Sequence, residues 1–398
     1  MKLAIYTDQA YWCAPDGRIS TGRSFVVFLA EMADSLDECV IVGPLHEAST
    51  PSHYQLPEKI RFVPLPGRQS SFQRPSPRAI LTAARRVWDL AGEVDGFWLL
   101  GPNLLAPLFA AIARIRGVPF ALGVRQDLPA YMSSRRPDQP LAQLAARILD
   151  GLFRMLSRRA PAIVVGPGLA RRYRGTWRLH ELWVSLVRER EVAETQARSP
   201  DRGRRRAVTV TRLDREKNPL LLVDVIEQLG PDWELVVCGD GPLEHEMRDQ
   251  LARRGLTERV QLMGHVPAGP ALTDVYRTSD VLLHVSLTEG MPQVLVEAFA
   301  AGLPVVATNV GGVAGAVGAA ALLIPPQDAA AAADAVERVG SDPQLAERLS
   351  AAGRDRVRAH TLESEARGAV DFLGRAFTER RSATSAARSE SSPSAQTT

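Results

Sequence analysis

Two carboxylates eight residues apart, Glu289 and Glu297, stand in the run Ser286–Val306, which reads SLTEGMPQVLVEAFAAGLPVV. The apolar segment Val281–Val285 before them has the character of a buried strand, and Glu289-Gly290-Met291 is the turn that leaves it. Pro292 suits a first helical turn, where a missing N–H costs nothing, and Gly302 closes the helix. Val294, Leu295, Val296, Ala298, Phe299 and Ala300 make that helix apolar almost all round, so it should be buried. A carboxylate inside it is costly unless it meets a donor or a ligand hydroxyl, and this is the position of Glu297. Glu289 falls at the C-terminal end of a strand, where ligands of open α/β sheets sit. The free N–H groups of the helix N-terminus, near Val294 and Leu295, would suit a phosphate. A hydrolase-like carboxylate pair needs about 5–5.5 Å between the groups. Five of the eight steps here are helical, at about 1.5 Å each, so two separate contacts along one ligand fit better.

Cations recur at a second strand end. Arg212 and Lys217 follow the segment Ala207–Thr211 and could offset phosphate charge; the bland alternative is an ordinary loop charge. Gly264-His265-Val266 ends another strand, and Gly239-Asp240-Gly241-Pro242 is a strand-to-helix turn to which no chemistry is assigned. Near the N-terminus, Gly22 with Ser24 as a helix cap could bring backbone N–H groups to a phosphate. Arg125-Gln126-Asp127 follows Phe120–Val124, and Tyr11-Trp12 adds an aromatic pair. No G-x-G-x-x-G follows the first strand, which counts against a nicotinamide site. Cys13, Cys39 and Cys238 and the seven histidines lack metal-ligand spacing.

These groups need a scaffold, and the chain supplies one. It has 398 residues, 45% of them hydrophobic and 23% charged, so a two- or three-domain globular protein follows and wholesale disorder is excluded. Strands are predicted at Lys2–Tyr6, Cys39–Gly43, Ile60–Leu65, Gly96–Leu100, Phe120–Val124 and Ala162–Val165. A second series is predicted at Ala207–Thr211, Trp233–Cys238, Val260–Met263, Val281–Val285, Val305–Thr308 and Ala321–Ile324. Helical periodicity separates them, which implies parallel sheets covered on both faces. Residues 1–206 carry 30 Lys/Arg against 19 Asp/Glu, a balance of +11, whereas residues 207–398 stand at −8. Opposite signs in two halves suggest two domains with different partners. The basic half has no aromatic interleaving of a nucleic-acid module, and nucleic acid is not expected as a partner. Glu191–Arg206 reads as a linker and Arg381–Thr398 as a disordered tail. Leu141, Leu144, Ile148, Leu152 and Leu156 recur at helical spacing with Arg147, Arg154, Arg158 and Arg159 nearby. Packing on a sheet is the favoured role for that stripe, and contact with an anionic membrane is the alternative. The N-terminus lacks the apolar run of a signal peptide, so a cytoplasmic location is expected, with or without peripheral contact at the inner face of a membrane.

The ordered set Thr211-Arg-Leu-Asp-Arg-Glu-Lys217, Gly239–Pro242, Gly264–Val266, Ser286–Thr308 with its E-x7-E spacing, and Gly311-Gly312 resembles the family 4 retaining glycosyltransferases. The resemblance covers about residues 207–340. It implies an α/β GT-B fold, two Rossmann-like domains facing a central cleft. On that pattern residues 1–195 bind acceptor, residues 207–360 bind a UDP- or GDP-sugar, and residues 361–380 form a helix crossing back to the N-terminal domain, before a disordered tail at 381–398. It implies Arg212 and Lys217 on the donor diphosphate, with Glu289 beside the reacting sugar. Gly290, Met291 and Pro292 would meet sugar hydroxyls, Gly264 and Val266 the base, and Glu297 the ribose. Val294, Leu295 and Gly22 would face phosphate. Apart from the resemblance, Tyr11, Trp12 and Asp127 are expected at the acceptor, and the aromatic pair could equally be cleft packing. No cofactor or metal is implied. The chain departs from the family at Gln126, where relatives place a histidine, and at Val313-Ala314-Gly315, where they place a glutamate. Those departures motivate one rival to the transferase, a non-catalytic nucleotide-sugar-binding subunit; a nucleotide-sugar epimerase on the same fold is a further alternative.

Overall fold

A computed structural model describes residues 1–47, 53–67, 76–193 and 203–390. Among them, sixteen strands form two sheets. The first contains β1 (Lys2–Tyr6), β2 (Tyr11–Cys13), β3 (Ile19–Thr21), β4 (Glu38–Glu47), β5 (Tyr54–Gln55), β6 (Ile60–Pro66), β7 (Gly96–Gly101), β8 (Phe120–Val124), β9 (Pro161–Val165) and β10 (Arg178–Leu182). The second contains β11 (Arg205–Val210), β12 (Trp233–Cys238), β13 (Val260–Gly264), β14 (Val281–His284), β15 (Val305–Thr308) and β16 (Ala321–Ile324). Continuous apolar strands can be buried on both faces only when helices cover both. Val40–Val42, Phe97–Leu100 and Val305–Ala307 are accordingly buried throughout.

The second sheet is wholly parallel in the order β13-β12-β11-β14-β15-β16. The strand order therefore reverses between β11 and β14, whose C-terminal ends open onto a crevice. The first sheet repeats this arrangement around β1 and β7. Its short strands β2, β3 and β5 lie at one side, with antiparallel pairs β2–β3 and β3–β5. The sequence pattern did not foretell β2, β3, β5 or β10. The first three span two or three residues each, too few to display a period, and their pairing is set by partners distant in the chain.

The helix Leu362–Glu390 packs on the first sheet. Phe377 lies against Gly96 of β7, where a Cβ would sit 2.2 Å from the ring. Phe372 stacks on His180 of β10 at 5.1 Å, and Glu365 accepts from the Trp183 N–H at 2.9 Å. This helix corrects the expectation of a tail disordered from Arg381, because it continues to Glu390. Residues 381–390 contain neither Gly nor Pro, so nothing breaks a helix already nucleated by packing. Residues 391–398 lie outside the described residues. So do 194–202 of the expected linker, which is flanked by the short helix Glu189–Ala193 and by β11.

A second correction concerns the leucine stripe. Helix Pro140–Ser157 buries Ala146, Asp150, Phe153 and Ser157, while Leu141, Leu144, Ile148 and Met155 are exposed. The helix meets its lobe through Ala146, Phe153 and Ser157, with Leu149 and Leu156 packed against the core and Leu152 half-buried. No described helix is long and apolar enough to cross a membrane.

Candidate functional site

The loops after β11 and β14 flank the point where strand order reverses, and the predicted charges stand on them. Lys217 Nζ donates to Glu289 Oε1 at 2.5 Å, joining residues 72 apart in sequence. His284, the last residue of β14, places Nε2 3.2 Å from the same oxygen without meeting hydrogen-bond geometry. His284 is buried, and the Glu289 side chain is 9% exposed. Burial opposes ionisation of Glu289, but the Lys217 charge and the His284 imidazole outweigh it and hold the carboxyl well below the usual carboxylate range. His284 was not singled out in the sequence; its one signal was a lone imidazole in the apolar run VLLHV.

Arg212 is held by two carboxylates. Nη1 pairs with Asp214, and Nη2 donates to Glu216 Oε1 at 2.9 Å. Glu216 is buried, its Oε2 has no hydrogen-bond partner, and Arg135 of the first lobe stands 3.8 Å from Oε1. Gly239 and Gly241 explain why the turn after β12 is glycine-rich. At φ +142° and +157° they press on this segment, and a Cβ on Gly239 would lie 1.7 Å from the Thr211 carbonyl oxygen. The turn also accepts the Leu213 N–H at Asp240 O, 2.8 Å away. The role of Gly239–Pro242 is thus to seat the Arg212 loop.

Glu297 points to a different partner. Tyr276 OH donates to its Oε2 at 2.8 Å, and burial raises its pKa. Glu289 and Glu297 therefore serve two separate contacts. The helix that carries Glu297 spans Gln293–Ala300, so Pro292 is the N-cap and not the first helical residue. The Leu295 N–H already donates to Pro292 O at 3.2 Å, which corrects the expectation that it is free. Gly290 and Met291 meet the first lobe: a Cβ on Gly290 would lie 3.2 Å from the Arg125 carbonyl oxygen, and Met291 packs on Gly166. Gly311 and Gly312 support the Glu289 turn from below, the Gly312 N–H donating to Glu289 O at 3.0 Å. Gly315, where a glutamate was expected, lies against Pro167, with space for a Cβ only 2.5 Å from that ring.

The first lobe closes over this surface. Ser24 Oγ donates to Gln293 Oε1 at 3.1 Å, so Ser24 does not cap its own helix, contrary to expectation. Gly22 and its neighbour Arg23 are both exposed, and Arg23 lies within electrostatic reach of Arg212. Tyr54 OH accepts the Ala268 N–H at 3.0 Å, and His53 meets His265 with ring centres 4.1 Å apart, next to Gly264 and Val266. Arg23, Tyr54 and Arg135 were not foreseen, since only the facing lobe shows what they meet.

Two acceptor candidates already have other surroundings, the core for one and two partners for the other. Tyr11 is buried in the first core against Phe62, and its hydroxyl has no partner. Asp127 is committed on both oxygens: it caps helix Leu128–Arg135 through Ala130 N–H at 3.1 Å, and Arg172 lies 3.4 Å away. Trp12 is half-buried beside His46, 5.9 Å between ring centres. Gln126 is exposed, with its Cα 4.0 Å from a Cβ built on Gly290.

Residues 193–356 match the family of glycosyl transferases group 1. That stretch holds Arg212, Asp214, Glu216, Lys217, His284 and Glu289, while Arg135 reaches Glu216 from outside it. The phosphatidylinositol N-acetylglucosaminyltransferase GPI3 subunit of Saccharomyces cerevisiae is 35% identical over 127 residues, 31% of this chain and 28% of that protein. The putative teichuronic acid biosynthesis glycosyltransferase TuaC of Bacillus subtilis is 37% identical over 139 residues, 34% of this chain and 32% of that protein. The chain thus spans about a third of the length of these curated relatives. Among solved structures, sucrose-phosphate synthase from Thermosynechococcus elongatus superposes with a TM-score of 0.72 over 95% of this chain and all of that one, at 19% identity. Anabaena HepE in complex with UDP does so with 0.68 over 94% of this chain and 100% of that one, at 18% identity. The fold is GT-B.

Proposed function

We propose that the protein is a retaining glycosyltransferase that takes a sugar from a nucleoside-diphosphate sugar, UDP- or GDP-linked, and passes it to an acceptor. The observation that carries this reading is the Lys217–Glu289 pair, set at the strand-order reversal beside Arg212 and a helix N-terminus. The group-1 match over the same residues and the UDP bound to HepE support it. When the anomeric carbon leaves phosphate, negative charge grows on the diphosphate. Arg212, preset by Asp214 and Glu216, and Lys217 stabilise that charge without reorganising. Gly290 and the Pro292 cap keep the chain close enough for backbone N–H groups near Val294 to meet phosphate oxygens. Glu289, ionised and fixed by Lys217 and His284, accepts hydrogen bonds from sugar hydroxyls and sets the reacting geometry. Glu297 faces the ribose, with Tyr276 holding one oxygen. The leaving phosphate takes the acceptor's proton, so attack and departure share a face and no protein nucleophile is needed.

The test is diphosphate release from UDP- and GDP-sugars in the presence of a panel of acceptors. The transferase reading expects release coupled to a new glycoside with unchanged anomeric configuration. Lys217→Ala and Arg212→Ala should each lower turnover roughly a hundredfold. Donor binding with no turnover would favour a non-catalytic subunit, and epimer formation without acceptor would favour an epimerase.

A further inference from the structure

Helix Pro140–Ser157 has one face in the lobe and the other uncovered. Leu141 is 81% exposed, Leu144 51%, Ile148 64% and Met155 57%. At 100° per residue these four fall within one narrow stripe. Leu156 turns inward and packs on the lobe's core. Arg147, Arg154 and Arg158 follow along one flank of the stripe, all exposed. The single acid of the helix, Asp150, is buried and bonded to Arg172 and Tyr173, with Arg154 pairing to it at 3.2 Å, so the outer face carries no negative charge and Arg147 and Arg158 supply its net positive charge. At the C-terminal end, the Trp177 N–H donates to Ser157 O, and the guanidinium groups of Arg178 and Arg380 lie 5.9 and 5.7 Å from the indole.

Solvent-facing leucines in a continuous row mark a contact surface. We infer that this helix lies in the interface of an anionic bilayer, with Leu141, Leu144, Ile148 and Met155 among the acyl chains and the arginines at the phosphate level. Three features favour lipid over a second copy of the chain. The stripe is a single row of four side chains on one helix face. Its flank is uniformly cationic, so two copies placed face to face would oppose like charges. An exposed tryptophan with basic neighbours at the helix end matches the mix that settles at the headgroup level. The inference stands apart from the proposed reaction, because its measurement uses neither donor nor acceptor.

The experiment is co-sedimentation of the full chain with vesicles of phosphatidylglycerol and phosphatidylcholine in equal parts, against phosphatidylcholine alone. Binding to the anionic vesicles is expected at low salt, with about a tenfold loss of affinity on raising salt severalfold, as screening shortens the reach of the arginines. Leu144→Glu/Ile148→Glu should abolish binding, and Arg147→Gln/Arg158→Gln should weaken it about thirtyfold. Unchanged thermal melting shows that these exposed substitutions leave the lobe folded. Absence of binding to anionic vesicles, or equal binding by the leucine variant, would overturn the inference. A concentration-dependent dimer, seen by sedimentation without lipid and lost in Leu144→Glu/Ile148→Glu, would assign the face to a second copy instead.

Discussion

Glu289 illustrates how one side chain can be both expensive and useful. Its side chain is only 9% exposed, so ionisation rests on Lys217 and His284. Removing Lys217 as Met should strand that charge and cost about 3–5 kcal/mol in urea unfolding. Adding Glu289→Gln to the same chain should recover most of the loss, because no buried charge is then left unpaired. Simple additivity of the two substitutions would show that the pair is not coupled. The pH dependence has a defined sign. The folded carboxyl titrates below the unfolded one, so its contribution is complete above the unfolded value of about 4.3 and is lost as pH falls below it. Wild-type stability should therefore decline more steeply below about pH 4.3 than that of Glu289→Gln. Superimposable acid profiles would count against the pairing. Glu297 carries the opposite sign: burial raises its pKa, so Glu297→Gln should remove a stability loss that sets in as pH rises above about 4.3.

At the scale of elements, the site depends on turns that bring backbone against backbone. The loop after β11 is seated by Gly239, where a side chain would collide with the Thr211 carbonyl at a positive φ. Gly239→Ala should cost about 3 kcal/mol, overpacking and strain together, and should weaken donor binding by displacing Arg212. Gly264 provides the comparison. It also has a positive φ, +67°, but has open space around its Cβ position, so Gly264→Ala should cost only about 1–2 kcal/mol. Equal destabilisation of the two variants in chemical denaturation would mean that backbone conformation, and not the close approach, governs this turn.

The whole molecule is two sheets tied at several points across the cleft. Ser24 with Gln293, Tyr54 with Ala268, His53 with His265 and Arg135 with Glu216 all join the lobes near the candidate site. Each contact is small and polar, so together they favour closure without forbidding opening. Tyr54→Phe combined with Ser24→Ala should enlarge the radius of gyration in solution scattering while leaving thermal melting nearly unchanged. A radius equal to wild type would show that these contacts do not govern closure. The C-terminal helix is a firmer tie. Phe377→Ala should destabilise the first lobe by about 3–5 kcal/mol, measured by unfolding, since its ring fills the space above Gly96.

Local sequence determined which segments could be buried strands, because a run such as Val281-Leu-Leu-His-Val is too apolar to lie anywhere but inside a covered sheet. It also marked the turns at Gly239 and Gly302, where backbone geometry selects the residue type, and it placed Arg212, Lys217 and Glu289 at strand ends. It could not say that Lys217 and Glu289 meet. That follows from β11 and β14 being neighbours across the point of reversal, a consequence of strand order over 72 residues. Tyr11 and Asp127 carry the same kind of side chains as residues that do face a cleft. Only the surrounding core and the Arg172 guanidinium decide that one is packing and the other a helix cap. The leucine row at 141–155 has the period of a buried helix face, and period alone reports the direction of the apolar side, not what covers it. The lobe fills its share of the contact with Ala146 and Phe153, flanked by Leu149 and Leu156, and leaves Leu141, Leu144 and Ile148 outside. Side-chain chemistry and periodicity are local properties; which neighbour satisfies them is settled by how the sheets and lobes come together.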